Sequence, residues 1–331
     1  MKSGQTTLSW SALLLAGALV ACGGSDVTPP SNAGGEGGAS GASGGASSAG
    51  SSGLAVQPSE IAQWPMPNSP GLGLPNPQTY DATTTPGVVH DAVTGLDWLQ
   101  DPGLALYSRA DALAQCEALS FAGSDDWRAP SFIELVSLFD VVPNDTDARG
   151  PSYISPTFAA EGRYWSAASV SAKGLGRLLD FTADGCSESM ACSVGVAAKV
   201  DDVLGGAFCV RSSRPGSTSD RYQSNGDEVT DRRTGLTWIT VAANVQTSDH
   251  AEAVITCQAL GNGARLPSVN ELLTILVPNL VSKAFPNWPA SAWAWTSSPV
   301  SAIPGSRWAA AIGGATRADT ADVHNRVQCV R

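Results

Sequence analysis

Few residues of this chain have the types and spacing that catalysis or metal binding requires. Its 331 residues include three histidines, His90, His250 and His324, none of them in a paired spacing such as H-E-x-x-H. The sequence also contains no glycine-rich phosphate loop and no dinucleotide-binding motif. It therefore predicts a protein that is not an enzyme and needs no cofactor, with its histidines at the surface rather than on a metal.

A second group of candidate residues lies between positions 180 and 202. Cys186 and Cys192 form a C-x5-C pair rather than the C-x-x-C of redox and zinc sites, and we interpret them as a local disulfide. Carboxylates around this pair are oxygen ligands of the kind that calcium prefers. They are Asp180, Asp184, Glu188, Asp201 and Asp202. A solvated acidic loop without metal is the favoured interpretation, and a calcium site is the alternative.

Any such site is positioned by a domain that the chain uses twice, because six sequence anchors recur in the same order. The first set is Asp91, TGLDW (94–98), Cys116, WRAPSFIEL (127–135), YWSA (164–167) and CVR (209–211). The second set is Asp231, TGLTW (234–238), Cys257, ARLPSVNEL (264–272), WTS (295–297) and CVR (329–331). The duplication predicts two tandem domains, 79–213 and 220–331, which are called the first and second repeat below.

The anchors are interpreted as a structural framework. TGLxW after an aspartate is typical of a tight turn that feeds a strand and directs its tryptophan inward. Pro-Ser-x-x-Glu-Leu is a capping box at a helix start, so its glutamate is a cap rather than an acid–base catalyst. The framework set is Asp91, Trp98, Trp127, Glu134, Trp165, Asp231, Trp238, Glu271 and Trp295.

Arg128 and Arg265 precede the two capping boxes and are candidates for binding an anionic ligand. We favour a structural role for both, in which the arginine binds loop carbonyls or pairs with a nearby carboxylate such as Asp91 or Asp231. The order of elements in each repeat is strand, helix, helix, long loop and antiparallel strands, which predicts an α+β fold.

The cysteines support the duplication. Each repeat has one cysteine in its first helix and one in its last strand, so pairing Cys116 with Cys209 and Cys257 with Cys329 gives both repeats the same architecture. With Cys186–Cys192, this makes three predicted disulfides. Disulfides of this kind indicate an oxidising compartment such as the cell envelope.

The N-terminus predicts how the chain reaches the envelope. Residues 1–21 are interpreted as a signal peptide, since a short apolar run ends in Leu19-Val20-Ala21-Cys22 and resembles a bacterial lipoprotein signal with Cys22 as the lipidated residue. Residues 22–53 are expected to form a Gly/Ser/Ala-rich disordered tether, and residues 54–78 a stiffer, extended proline-rich stalk. The net charge of −11 argues against nucleic-acid binding. The expected location is the outer membrane, facing the periplasm or the cell surface.

The motifs TGLxW, WRxPSxxEL, YWS and the final CVR resemble those of the Lcl C-terminal domain family, over about Tyr80–Ser212 and Tyr222–Arg331. The resemblance implies two tandem domains similar to the C-type-lectin-like fold, each with two helices and a small antiparallel sheet. The second copy departs from the pattern, with Ala264 in place of the first tryptophan and Ala294 before Trp295.

The resemblance implies a protein that presents lectin-like modules for adhesion or for binding a glycan or protein ligand. Trp288, Trp293 and Trp308 are candidates for stacking on such a ligand, with core packing favoured at least equally. Two other functions stay open: an enzyme of the formylglycine-generating type that uses Cys186 and Cys192, and a purely structural spacer in an envelope assembly.

Overall fold

Both repeats belong to one compact unit, Leu54–Arg331, of a computed structural model. The structure describes residues 64–144, 152–160, 162–169, 176–182, 203–212, 221–239, 248–275, 292–301, 303–311 and 316–331. The predictions for the signal peptide, the tether and residues 54–63 of the stalk lie outside these ranges. So do those for Cys22, Asp184, Cys186, Glu188, Cys192, Asp201, Asp202 and Trp288.

The first repeat is built from short antiparallel sheets and two helices. Its elements are β1 (Tyr80–Asp81), β2 (Val88–Asp91), β3 (Leu96–Leu99), α1 (Arg109–Glu117), α2 (Phe132–Ser137), β4 (Phe139–Asn144), β5 (Ser152–Ile154), β6 (Arg163–Ser169), β7 (Gly176–Asp180) and β8 (Val210–Arg211). One sheet has the order β1-β2-β3-β8, and β4-β5 and β6-β7 form two-stranded ribbons. The last strand thus pairs beside the third, which closes the repeat.

The second repeat follows the same plan. Its elements are β9 (Tyr222–Asn225), β10 (Glu228–Asp231), β11 (Thr237–Ile239), α3 (His250–Ala259), α4 (Val269–Leu273), β12 (Trp293–Pro299), β13 (Ser306–Ala311), β14 (Thr316–Thr320) and β15 (Cys329–Val330). The sheet β15-β11-β10-β9 matches β8-β3-β2-β1 of the first repeat, and β12-β13-β14 form a three-stranded sheet. The predicted α+β plan is therefore present in both copies.

Local sequence explains where the helices begin. Ser108 and Asp249 cap α1 and α3 by accepting a backbone hydrogen bond, and complete capping boxes at Ser131 and Ser268 start α2 and α4. The apolar residues Leu135, Val136, Leu138 and Phe139 predict a second helix that extends to Phe139, and Pro143-Asn144 predicts a turn after it. The helix ends instead at Ser137, and Phe139 begins β4, so Pro143 and Asn144 lie in a strand. Phe139-Asp-Val-Val is rich in residues with high strand propensity. A prediction from the helical spacing of apolar residues does not take this propensity into account.

Each repeat is closed by a disulfide between its first helix and its last strand region. Cys116 is bonded to Cys209 with the Cα atoms 5.2 Å apart, and Cys257 to Cys329 with the Cα atoms 5.4 Å apart. This is the pairing that the duplication selects. A small apolar cluster surrounds each bond, with Trp165 in the first repeat and Trp295 in the second.

The largest hydrophobic cluster is common to the two repeats. It joins Trp98 of the first repeat to Trp238 of the second, and both side chains are fully buried. At its centre the Trp308 ring lies edge-on to Phe139 and Tyr153, with centroids 5.9 and 6.1 Å apart. Trp308 is therefore a core residue: of its two interpretations core packing is correct, and ligand stacking on an exposed ring is wrong.

Residues 64–78, called the N-terminal clasp below, pack between the two repeats. Asn68 Nδ2 donates to Glu271 Oε1 of the second repeat at 3.2 Å, and Ser69 Oγ accepts from Val141 N of the first at 2.7 Å. Met66 is buried in the common core. The prediction of an extended stalk is wrong for these residues. Prolines restrict the backbone, but they do not determine whether a segment is exposed to water. Here the segment packs against apolar surface between the two repeats.

Candidate functional site

The two arginines proposed for anion binding are held by the framework. Arg128 makes two hydrogen bonds to the Glu134 carboxylate, at 2.7 and 2.6 Å, and Arg265 makes two to Glu271, both at 2.7 Å. The same carboxylates accept the backbone N–H that completes each capping box. Each arginine also donates to a loop carbonyl, Arg128 to that of Ala129 and Arg265 to that of Leu266. The arginines are structural, as favoured, and the carboxylate that each one pairs with is the capping-box glutamate rather than Asp91 or Asp231.

Trp293 is half-buried, and one face of its ring is covered. The Arg317 guanidinium lies 4.3 Å from the ring centroid, in a cation–π contact. Asp319 and Asn325 hold Arg317 in place, at 2.9 and 3.3 Å. A ligand that stacks on this face of Trp293 must displace the arginine.

The remaining sequence candidates are separate from one another. His250 is half-buried with Nε2 3.0 Å from the carbonyl oxygen of Thr296, and burial lowers the pKa of its imidazole. His324 is exposed. The Asp180 Oδ1 atom accepts from the backbone and hydroxyl of Thr182. Within the described ranges, no group of three or more His, Cys, Asp or Glu side chains is arranged to hold a metal.

A row of charged side chains crosses the outer face of the first repeat's sheet. Asp81 lies opposite His90, His90 opposite Asp97, and Asp97 opposite Arg211, one residue on each of the four strands. The row lines an open cavity of about 320 Å³, called the first-repeat cleft below. The other residues that line the cleft are Thr84, Thr85, Val88 and Ala122.

Neighbouring side chains fix the row. His90 Nδ1 is 2.7 Å from Asp97 Oδ1, and Arg211 Nε is 3.2 Å from Asp126 Oδ1 and 4.0 Å from Asp97 Oδ2. The Arg211 guanidinium also lies 5.9 Å from the Trp127 ring. Hydroxyl and backbone N–H groups of Thr83 and Thr84 hold the pKa of Asp81 well below its ordinary value. The cleft therefore presents hydrogen-bond donors and acceptors that are held in place by their neighbours, rather than one isolated charge.

The same row in the second repeat carries different chemistry. Gln223 lies opposite Thr230, and Thr230 opposite Thr237, with the two threonine hydroxyl oxygens 3.5 Å apart. At the end of the row Arg331 pairs with Glu228 at 2.6 Å. The histidine and both row carboxylates of the first repeat are thus replaced by uncharged side chains, although the backbone pairing is the same.

The sequence did contain a signal for this cleft. Asp97 is the variable position of TGLxW, and strand alternation around the buried Leu96 and Trp98 directs it to the opposite face. His90 alternates in the same way between Val89 and Asp91. The row forms only through the register of neighbouring strands, which an isolated motif does not specify.

A second depression, of about 360 Å³, is lined by other residues of the first repeat. Gly162, Arg163 and Asp180 line it together with Leu104 and Leu106, whose exposures are 73% and 54%. Two exposed leucines beside a charged pair form an amphipathic surface rather than a binding pocket enclosed by side chains.

The fold defines the class of protein: a tandem of two strand-rich domains with few helices, each closed by a helix-to-strand disulfide. Residues 87–191 and 227–331 each match the family described as the Lcl C-terminal domain, and the chain belongs to this family. The predicted tandem of this family is thereby confirmed. No curated protein matches the chain. In the part of the chain that the structure describes, no helix combines the length and apolarity needed to cross a membrane.

Proposed function

We propose that this chain is a non-enzymatic lipoprotein of the cell envelope that binds a glycan or protein ligand through the first-repeat cleft. The observation that carries the proposal is the row from Asp81 to Arg211, whose histidine and two carboxylates are replaced by uncharged side chains in the second repeat. A framework that only spaces other components has no need of four fixed polar groups facing outward in a concavity.

The chemistry of the cleft favours a polyhydroxylated ligand. His90, Asp97 and Arg211 offer a donor, acceptors and a guanidinium within one row, and sugar hydroxyls both donate and accept hydrogen bonds. Val88 and Ala122 add apolar surface for the carbon face of a ring. The net charge of −11 disfavours a polyanionic ligand.

The remaining parts of the proposal come from the sequence and the family. Lipidation at Cys22 anchors the chain to the outer membrane, and the C-type-lectin-like arrangement is proposed for each repeat because a helix cysteine bonds to the last strand region in both. The enzyme alternative depends on Cys186 and Cys192. A thiol titration of the unreduced, denatured chain tests it, because that alternative requires free thiols and the proposed local disulfide gives none.

The experiment that tests the function is a glycan array with the full chain, in calcium and in chelator. Arg211→Ser and Arg331→Ser form a matched pair, because each changes the arginine of the CVR motif in one repeat. We expect Arg211→Ser to weaken binding about tenfold or more, which corresponds to about 1.4 kcal/mol, and Arg331→Ser to leave it unchanged.

Equal losses in the two variants would contradict a site in the first repeat. Absence of any glycan ligand would contradict the glycan form of the proposal and direct the same two variants to a screen for protein partners.

A further inference from the structure

The charged row of the first-repeat cleft has an acidic end and a basic end. Asp81 lies on β1 and Arg211 on β8, at the two edges of the four-stranded sheet, and His90 and Asp97 lie on the strands between them. Neighbouring strands are about 4.8 Å apart, so the two ends of the row are separated by about 14 Å. This separation exceeds the Debye length of about 8 Å at physiological ionic strength, so the guanidinium does not neutralise Asp81.

The guanidinium at the basic end is already engaged. Arg211 Nε lies 3.2 Å from Asp126 Oδ1, and Nη1 donates to Ser124 Oγ at 2.5 Å. The Asp97 carboxylate lies between Arg211 and His90, 4.0 Å from the first and 2.7 Å from the second. Positive and negative groups are therefore matched at this end of the row, which favours a neutral ligand group there, such as a sugar hydroxyl.

Asp81 at the acidic end carries a charge that no cation balances. Its Oδ2 accepts from the hydroxyl of Thr84 at 2.6 Å, and its Oδ1 accepts from the hydroxyl and backbone N–H of Thr83, at 2.7 and 2.8 Å. These hydrogen bonds hold the pKa of Asp81 well below its ordinary value, so the group is ionised at any physiological pH. Among the described residues, no arginine or histidine side chain lies within ion-pair distance of this carboxylate. A carboxylate has about four acceptor positions, so one is left for a ligand.

The second repeat has a cation at the equivalent end of its row. Gln223 lies opposite Thr230, as Asp81 lies opposite His90. The Gln223 Oε1 atom accepts from the Arg232 guanidinium, at 2.9 Å from Nη2 and 3.3 Å from Nε. A cationic group of a ligand is therefore attracted to this end of the row in the first repeat and repelled from it in the second.

We infer that the first-repeat cleft preferentially binds a glycan that carries a free primary amine, and that Asp81 binds its ammonium group. The inference rests on the proposed function, because it names the ligand class of the same cleft. An ammonium group brings one positive charge and three N–H donors, which match the unbalanced charge and the open acceptor of Asp81.

The surroundings of Asp81 favour an amino sugar over a lysine side chain. Thr84 and Thr85 line the cleft beside this carboxylate, and His90 and Asp97 continue the row. These polar groups are placed to contact hydroxyls next to the amine. An amino sugar has such hydroxyls, whereas a lysine side chain has only methylene groups beside its ammonium.

The test compares two oligosaccharides that differ only at the amine: the glucosamine trimer and its N-acetylated form, each titrated into the full chain by calorimetry. Acetylation removes the positive charge and two of the three N–H donors of each ammonium group. We expect the free amine to bind about fivefold more tightly or better, because hydrogen bonds between charged groups are the stronger kind.

Asp81→Asn and Glu228→Gln form a matched pair of variants. Asparagine keeps an oxygen to accept from Thr83 but loses the charge, so Asp81→Asn should abolish the preference for the free amine. Glu228→Gln removes one negative charge from the second repeat, so it changes the net charge of −11 by the same amount. Non-specific attraction of a cationic oligomer falls equally in the two variants, and Glu228→Gln should keep the preference.

Equal affinity of the wild type for the two trimers, or no binding of either, would overturn the inference, and so would equal losses in Asp81→Asn and Glu228→Gln. If a neutral glycan then binds and Arg211→Ser weakens it, the proposed function stands and the amine alone is wrong. A trilysine peptide that binds as tightly as the glucosamine trimer, with the same loss in Asp81→Asn, would overturn the choice of a sugar and assign Asp81 to a basic protein partner.

Discussion

The two repeats solve the same internal problem with different residues. Asp231 of the second repeat is paired with the Arg221 guanidinium, whereas Asp91 of the first accepts from the backbone N–H groups of Val93 and Thr94, and its Oδ2 has no hydrogen-bond partner in the described part of the chain. The capping boxes, by contrast, are alike to within 0.1 Å in their arginine–glutamate contacts. Groups that hold the backbone are therefore repeated, while the groups that compensate a buried charge have diverged.

A similar contrast holds between the inner and outer faces of the sheets. Trp98 and Trp238 are both fully buried at equivalent positions, but the outward residues one position earlier are Asp97 and Thr237. Inward positions are constrained by packing density, since a core residue has neighbours on every side. Outward positions have no such constraint and are free to acquire a ligand. This is the reason for placing the function on the outer face.

The variant with the largest expected effect tests whether the two repeats unfold independently. Trp308→Ala removes a buried ring that contacts Phe139 and Tyr153 of the other repeat, and should cost about 4 kcal/mol of unfolding free energy. We expect both repeats to unfold in one transition, at a lower denaturant concentration than in the wild type. Hydrogen exchange resolved by peptide would measure this. Loss of protection in the second repeat alone would contradict a common core.

The next effect sharpens the comparison of the two buried carboxylates. Asp231→Asn leaves Arg221 buried without its counter-charge and should cost about 3 kcal/mol, the lower end for a broken buried pair, because the Thr274 carbonyl still accepts from the guanidinium. Asp91→Asn should cost far less, since no arginine loses its partner. Equilibrium unfolding in denaturant measures both, and equal losses would contradict the asymmetry.

The pH dependence of the same pair has a definite sign. Since burial raises the folded-state pKa of Asp91, its contribution to stability is fully present below the unfolded-state pKa of about 3.9 and is lost as pH rises through the folded-state value. The stability of wild type relative to Asp91→Asn should therefore fall between acidic and neutral pH. Burial also raises the pKa of Asp140, but this effect is common to both proteins and cancels. A difference that does not change with pH would contradict the raised pKa.

The repeated framework was predictable because its sequence motifs span only a few residues or occur in both repeats. Capping boxes lie within four residues, and the intra-repeat cysteine pairing is the arrangement that gives both copies one architecture. The N-terminal clasp and the common core were not predictable in this way. Asn68 meets Glu271 across 203 positions, and no periodicity carries information over such a separation. The first-repeat cleft falls between these cases: its residue types alternate outward as expected, but only strand register brings them together.

The smallest expected effect on stability concerns the first-repeat cleft and decides whether its row is functional or structural. The double variant His90→Thr and Asp97→Thr gives the first repeat the residues that the second has at Thr230 and Thr237. The His90–Asp97 contact is at the surface, where such a pair contributes about 0–1 kcal/mol, and threonine is a good strand former, so the unfolding free energy should change by no more than about 0.5 kcal/mol. Ligand binding should fall by about tenfold or more, since the row loses a carboxylate and an imidazole together. Unchanged binding with a marked loss of stability would assign the row to the framework, and the two repeats would then differ in their interior alone.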